Sequence, residues 1–399
     1  MSPVPLSDDV TAHRAWEPGA GMTLLPVLLA AVLAGCASAP ATEPAAQRSS
    51  PSSALSSPCV PAPLERRAAA VLIVGLPEVR TADAPLATAV VDLGVGGVFL
   101  SHSNVQTAAQ VRALADGLRA RAGRPLLVST DEEGGRVAVT RAVVGRAPSP
   151  RRLAAQSTVE QVRSAAADVG ARLADLGVDL DLAPVLDLDD GPSDGVVGDR
   201  SFSADPARAA AYGLAFSRGL ADAGVTPVVK HFPGQGRSRA DTHRVSALVR
   251  ASLEELRSTD LVPFQRAVDA GTPAVMLNHL GYTALDGDLP ASLSPRAYSL
   301  LRSMGFRGVA MTDSVGMGAV DLRWDFPKAG VLAVGAGADA VLATDGAQAV
   351  RMRDALVAAV RSGSLPEVRL SEAAARVTAL AGGDPVAMSC LSVSLPSLR

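Results

Sequence analysis

A chain of 399 residues is long enough for one large α/β barrel or two ordinary domains. Its apolar content is 48% but its aromatic content only 3%, so a core must be built from Ala, Val and Leu. A formal net charge of −3 supplies no basic stripe, which argues against a general nucleic-acid binder.

Taken in order, the chain opens on residues 1–36, which carry a 14-residue apolar run at 22–35, too short to span a bilayer. The run ends in Leu33-Ala34-Gly35-Cys36 and resembles a bacterial lipobox, in which a signal peptide is cut before a cysteine that carries lipid. Asp8, Asp9 and Glu17 offset Arg14 where a signal peptide normally carries net positive charge. Residues 37–63 are rich in Ala, Pro and Ser and read as a tether. The expectation is an extracytoplasmic protein, lipid-anchored to a bacterial cell membrane through Cys36, or secreted if the lipobox is not used.

From residue 64 to 385 the pattern alternates strand and helix. Apolar runs fall at 71–75, 97–100, 125–130, 178–185, 226–230, 273–278, 308–312 and 338–343, with helical stretches between them. Thr158 to Leu176 reads as an amphipathic helix. Asp205-Pro206 opens another, with Asp at the N-cap and Pro at the first helical position. Ser371 is expected to cap the last helix, and residues 386–399 to form a tail. Eight strands over roughly 300 residues fit a single (β/α)8 TIM-type barrel of the α/β class. The rival doubly wound sheet wants a Gly-rich phosphate loop after its first strand, and Gly75-Leu76-Pro77 is not one. The ends of a closed barrel lie near each other, so Cys59 and Cys390, which flank the folded region, can pair in an oxidising compartment.

Polar residues cluster at the strand ends. Lys230-His231-Phe232-Pro233-Gly234-Gln235-Gly236 follows the fifth apolar run, and Asp241-Thr242-His243 comes a few residues later. The whole chain holds only two lysines and five histidines, so this concentration is unusual. Asp131, Lys230, His231, His279 and Asp313 each follow a strand on its C-terminal side, and in a barrel those ends share one mouth. Asp241 and His243, two residues apart, allow a carboxylate to orient an imidazole and raise its basicity. No Cys/His cluster has zinc spacing, and no Gly-x-Ser-x-Gly elbow is present, so neither a metal nor another cofactor is expected. What remains suits glycoside hydrolysis with retention: Asp313 as the carboxylate nucleophile and His243, on a Gly-flanked loop, as acid/base in place of the usual second carboxylate.

These residues, with Asp131-Glu132-Glu133-Gly134-Gly135-Arg136-Val137, Gly198-Asp199-Arg200-Ser201-Phe202 and Met311-Thr312-Asp313-Ser314-Val315-Gly316-Met317, closely resemble the family 3 glycoside hydrolases. The likeness is to the bacterial β-N-acetylglucosaminidase branch that trims peptidoglycan fragments. It implies a covalent glycosyl-aspartate on Asp313, proton transfer by His243 partnered by Asp241, and substrate contacts from Asp131, Arg200, Lys230, His231 and His279. The expected substrate is a carbohydrate, N-acetylglucosamine at the end of cell-wall fragments. The alternatives are a β-glucosidase or β-N-acetylglucosaminide phosphorylase of the same family, or a surface lipoprotein that binds sugar without turnover. Two departures stand out. Gln235 replaces a His usual in the family loop, and Ser101-His102-Ser103-Asn104 differs from an Arg-bearing turn common in relatives.

Overall fold

The computed structural model describes residues 59–398. The signal stretch, Cys36 and most of the tether lie outside the described residues. Eight parallel strands form one sheet: β1 (Leu72–Gly75), β2 (Gly97–Phe99), β3 (Leu127–Thr130), β4 (Leu180–Asp181), β5 (Thr226–Phe232), β6 (Ala274–Leu277), β7 (Val309–Thr312) and β8 (Val341–Ala343). Their hydrogen-bonded order is β7-β6-β5-β4-β3-β2-β1-β8. A parallel bridge between Met311 and Ala340 joins the two outer strands, with Thr312 N donating to Ala340 O at 3.1 Å. The sheet is therefore a closed (β/α)8 barrel, with one strand at each of the eight apolar runs.

A strand buried on both faces reads as an unbroken apolar run, which is why these segments are legible. Alternation then sorts the side chains. Ile73, Leu127, Leu180, Val228, Met276, Val309, Met311 and Leu342 fill the barrel interior. Their neighbours Leu72, Val74, Val128, Val229, Val275, Leu277, Ala310 and Val341 face the helical shell. Each strand is followed by a helix: Pro85–Leu93, Ala108–Ala122, Val159–Asp175, Pro206–Asp222, Leu261–Asp269, Pro295–Ser303, Phe326–Ala336 and Ala349–Arg361. Thr158 and Gln161 form a reciprocal capping box, and the Asp205 carboxylate accepts from Arg208 N, as the Asp-Pro signal predicts.

The C-terminal segment closes the N-terminal side of the barrel. Val377, from the helix Glu367–Leu380, joins the interior cluster, and Leu380 and Leu395 pack against it. Residues 390–398 therefore run back under the barrel after the short helix Pro385–Ser389. Cys59 and Cys390 are joined by a disulfide, 331 residues apart in sequence. Ser371 does not cap a helix. It lies within Glu367–Leu380, which Pro366 opens, and its Oγ accepts from Arg67 Nη1 at 2.6 Å.

Candidate active site

The C-terminal strand ends surround a cavity of about 740 Å³. Asp131, Arg200, Lys230, His231, Asp241, His243 and Asp313 all line it. Fold and sequence spacing account for the convergence: Asp131 and Asp313 are the first residues past β3 and β7, and Lys230 and His231 lie in the last turns of β5.

A four-membered charge cluster forms one wall. Lys230 Nζ lies 2.7 Å from both Asp131 Oδ1 and Glu133 Oε1. Arg200 grips Glu133 with two bonds, Nε to Oε2 and Nη2 to Oε1, each 2.7 Å. The Glu133 side chain is fully buried, whereas that of Asp131 keeps 24% of its surface. Glu133 is thus the anchor and Asp131 the face presented to the cavity. Burial alone would push the Glu133 carboxyl up, but Arg200 and Lys230 outweigh it and hold it far below the usual range. Burial lowers a lone ammonium, yet Asp131 and Glu133 keep Lys230 above its ordinary value and charged.

His231 is held from behind. Its Nδ1 meets Asp187 Oδ2 at 2.6 Å, and its Nε2 lies 3.3 Å from Arg200 Nη2. Asp187 Oδ1 also accepts the backbone N–H groups of His231 and Gln235, at 3.2 and 2.7 Å. One carboxylate therefore fixes both the imidazole and the first turn of the loop that leaves β5. Asn278 adds to this, donating through Nδ2 to His231 O at 3.0 Å, while Tyr282 OH donates to Gly234 O at 2.7 Å.

The Asp313 carboxyl is drawn two ways. Burial would raise it, but the positive surroundings, the Lys230 ammonium among them, and the Ser314 N–H bring it below the ordinary carboxylate value. It is ionised at neutral pH. Ser314 N donates to its Oδ1 at 2.7 Å, and among the described residues its Oδ2 takes no protein hydrogen bond. Across the cavity, His243 Nδ1 lies 2.8 Å from Asp241 Oδ1. The Asp241 carboxyl is itself held below its ordinary value, burial being outweighed by the His243 bonds. An ionised carboxylate only accepts, so Nδ1 carries the proton and Nε2 is left for other chemistry. The His243 side chain is 72% exposed. Its loop is nevertheless tied down: Gly318 N donates to His243 O at 3.0 Å and Ala319 N to Thr242 O at 3.1 Å.

The geometry departs from the sequence expectation at His279. This residue does not line the cavity and is fully buried behind it. Its Nε2 donates to Ser314 O at 2.8 Å, which makes Nδ1 the acceptor for the Ser292 hydroxyl at 2.7 Å. Both ring nitrogens are used by protein, and burial pushes the imidazole below its ordinary pKa. A neutral, saturated His279 buttresses the segment that carries Asp313 and has nothing left for a sugar. Two residues that sequence reasoning passed over matter more, Glu133 and Asp187. Asp187 had a signal, since it follows the fourth apolar run as Asp313 follows the seventh.

The chain matches the description "Glycosyl hydrolase family 3 N terminal domain" over residues 69–380. It is 38% identical over 325 residues to "Beta-hexosaminidase LpqI" of Mycobacterium tuberculosis, covering 79% of this chain and 82% of that protein. The solved structure of a glycosyl hydrolase of the GH3 family from Mycobacterium smegmatis superposes with a TM-score of 0.74 at 38% identity, covering 80% of this chain and 97% of that one. A glycoside hydrolase family 3 β-N-acetylglucosaminidase from Paenibacillus sp. gives a TM-score of 0.77 at 32% identity, over 84% of this chain and 65% of that one.

Proposed function

The chain belongs to glycosyl hydrolase family 3, and on that premise we propose that it is a retaining exo-β-N-acetylglucosaminidase that removes terminal N-acetylglucosamine from cell-wall fragments. The observation that carries the reading is one cavity lined by both an ionised Asp313 and an Asp241-oriented His243. The names of the relatives supply the acetamido sugar.

In the first step Asp313 Oδ2 attacks the anomeric carbon as the glycosidic bond breaks. His243 Nε2–H gives its proton to the departing oxygen, leaving a neutral imidazole and a covalent glycosyl-aspartate. In the second step His243 Nε2 takes a proton from water, the hydroxide displaces Asp313, and the sugar leaves with its β-configuration retained. Asp131, Arg200, Lys230 and His231 hold the sugar hydroxyls; Glu133 holds Arg200 and Lys230 in place, Lys230 holds Asp131, and Asp187 holds His231. Asp241 accepts from His243 Nδ1–H and so keeps Nε2 as the nitrogen that exchanges the proton. A lipid on Cys36 would set this chemistry outside the cytoplasm at the membrane surface. Acyl mass on the mature N-terminus, and loss of membrane association in Cys36→Ala, test that part.

The deciding experiment is hydrolysis of 4-nitrophenyl N-acetyl-β-D-glucosaminide beside the matching glucoside. Turnover of the acetamido sugar, abolished in Asp313→Asn with sugar binding retained, is the expected result. Preference for the glucoside, or full activity in Asp313→Asn, would overturn the reading.

A further inference from the structure

A cavity of about 200 Å³ opens at the end of the barrel opposite the catalytic mouth. Ala70, Gly96 and Pro125, which precede β1, β2 and β3, line it together with Arg66, Arg124 and Asp384. Both arginines are half-buried. Arg66 spends Nη1 on Gly94 O, and Arg124 spends Nη1 and Nη2 on Pro125 O and Val91 O, at 3.1 and 3.4 Å. Carbonyls leave the charges uncompensated, and neither arginine has an acidic partner among the described residues. Asp384 does not serve, since its Oδ1 caps the helix Pro385–Ser389 by accepting from Val386 N at 2.8 Å. Neighbouring arginines are treated differently: Arg67 pairs with Glu367 and Arg121 with Asp92. Burial, and for Arg124 also the Arg66 charge beside it, pulls both guanidinium groups below their ordinary pKa. Two like charges thus share one small cavity, and an anion there would relieve both.

The path of the chain indicates which anion comes near. Ala62 lines the cavity, and three residues earlier Cys59 is fixed to Cys390 by the disulfide. Only residues 37–58 separate Cys36 from this end of the barrel. Val60, 81% exposed, and Val386, 42% exposed, add apolar surface beside the disulfide. We propose that Arg66 and Arg124 receive the headgroup phosphate of an anionic phospholipid, seating the barrel on the membrane by the end away from its catalytic mouth. The inference rests on the reading of Cys36 as a lipid anchor. Guanidinium groups with N–H groups to spare match phosphate oxygens in both charge and geometry. Two arginines alone bind a membrane weakly. The lipid therefore supplies attachment and the arginines supply orientation, turning the mouth outward to the cell-wall fragments.

The test uses the mature chain, residues 36–399, carrying Cys36→Ser so that no lipid anchors it. Its partition is measured onto vesicles of phosphatidylglycerol mixed with phosphatidylcholine, and onto phosphatidylcholine alone, at low ionic strength. The anionic vesicles should be preferred. Arg66→Gln with Arg124→Gln should weaken that binding by about thirtyfold, the worth of two cationic residues at an anionic surface, and leave turnover of the aryl glycoside unchanged. Arg66→Lys with Arg124→Lys keeps the charge, should bind nearly as the parent does, and serves if the Gln pair folds poorly. Equal partition onto both vesicles, or no loss in the Gln pair, would overturn the assignment. So would an equal loss from Arg152→Gln with Arg163→Gln on the helical shell, which would reduce the effect to net charge. Binding of inorganic phosphate at the two arginines with no preference for anionic vesicles would mark a free-anion site and overturn it too. Absence of acyl mass on Cys36 would instead sink the anchor reading, on which the vesicle measurement does not depend.

Discussion

The exposed loop that carries His243 depends on Gly318, and Gly318→Ala should unfasten it. A Cβ at this position would lie 2.7 Å from Arg244 O and 2.9 Å from His243 O, closer than real contacts allow and against backbone rather than a flexible side chain. The segments must part, breaking the Gly318–His243 and Ala319–Thr242 hydrogen bonds. At about 1 kcal/mol each, their loss shifts the balance of docked to undocked loop by about 2 kcal/mol, roughly thirtyfold. Two readouts follow. The kcat on the aryl glycoside should fall by up to about thirtyfold, because His243 is no longer held over the cavity. Tryptic cleavage after Arg239 and Arg244, both exposed, should accelerate by a similar factor, since cleavage tracks the open population when reclosing is fast. Thermal stability should change little, because the loop is peripheral to the core. Wild-type kcat together with wild-type cleavage in Gly318→Ala would refute the latch.

Three other outcomes are expected. Asp187→Ala leaves the buried N–H groups of His231 and Gln235 without their acceptor; it should cost about 2–5 kcal/mol of stability by denaturant titration and lower kcat/KM as well. Burial keeps the Asp181 carboxyl well above its ordinary pKa, with Asp131 and Glu132 adding to the shift. A folded pKa above the unfolded value near 3.9 means that the linked stability is complete below that pH and is lost as pH rises through the folded value. The stability of Asp181→Asn relative to wild type should therefore grow between about pH 4 and neutrality, and a pH-independent difference would count against the buried-acid assignment. Replacing Cys59 with Ser opens a closure spanning 331 residues and should cost about 2–5 kcal/mol, read as a lower melting temperature with the kinetics intact.

Legibility in the sequence followed the physics of each element. Closed barrels bury their strands on both faces, so β1 to β8 announced themselves as apolar runs, and the residues just beyond them could be assigned to one mouth. Asp131, Lys230, His231 and Asp313 were found that way. Arg200 sits in a single turn late in the connection that leaves β4 rather than at a strand end, and only family resemblance pointed to it. His279 shows the limit of the strand-end rule. Position placed it at the mouth, but whether a side chain faces the cavity depends on its neighbours, and Ser292 and Ser314 had already claimed both nitrogens. Ser371 failed for a related reason, since Arg67, some three hundred residues away in sequence, uses its hydroxyl.

Glu133 and Asp187 were hidden for a further reason. Neither presents its charge to the cavity; each is spent inside the protein, on Arg200 and Lys230 in one case and on His231 and Gln235 N in the other. A bound sugar needs rigid donors at fixed angles, and long side chains such as Lys230 and Arg200 are rigid only when a buried anion holds them. The anion must be buried to be strong, and a buried anion is tolerable only when fully paired. The outward-facing residues can thus be read from strand ends, while the carboxylates that make them useful become visible only when β3, β4 and β5 are side by side.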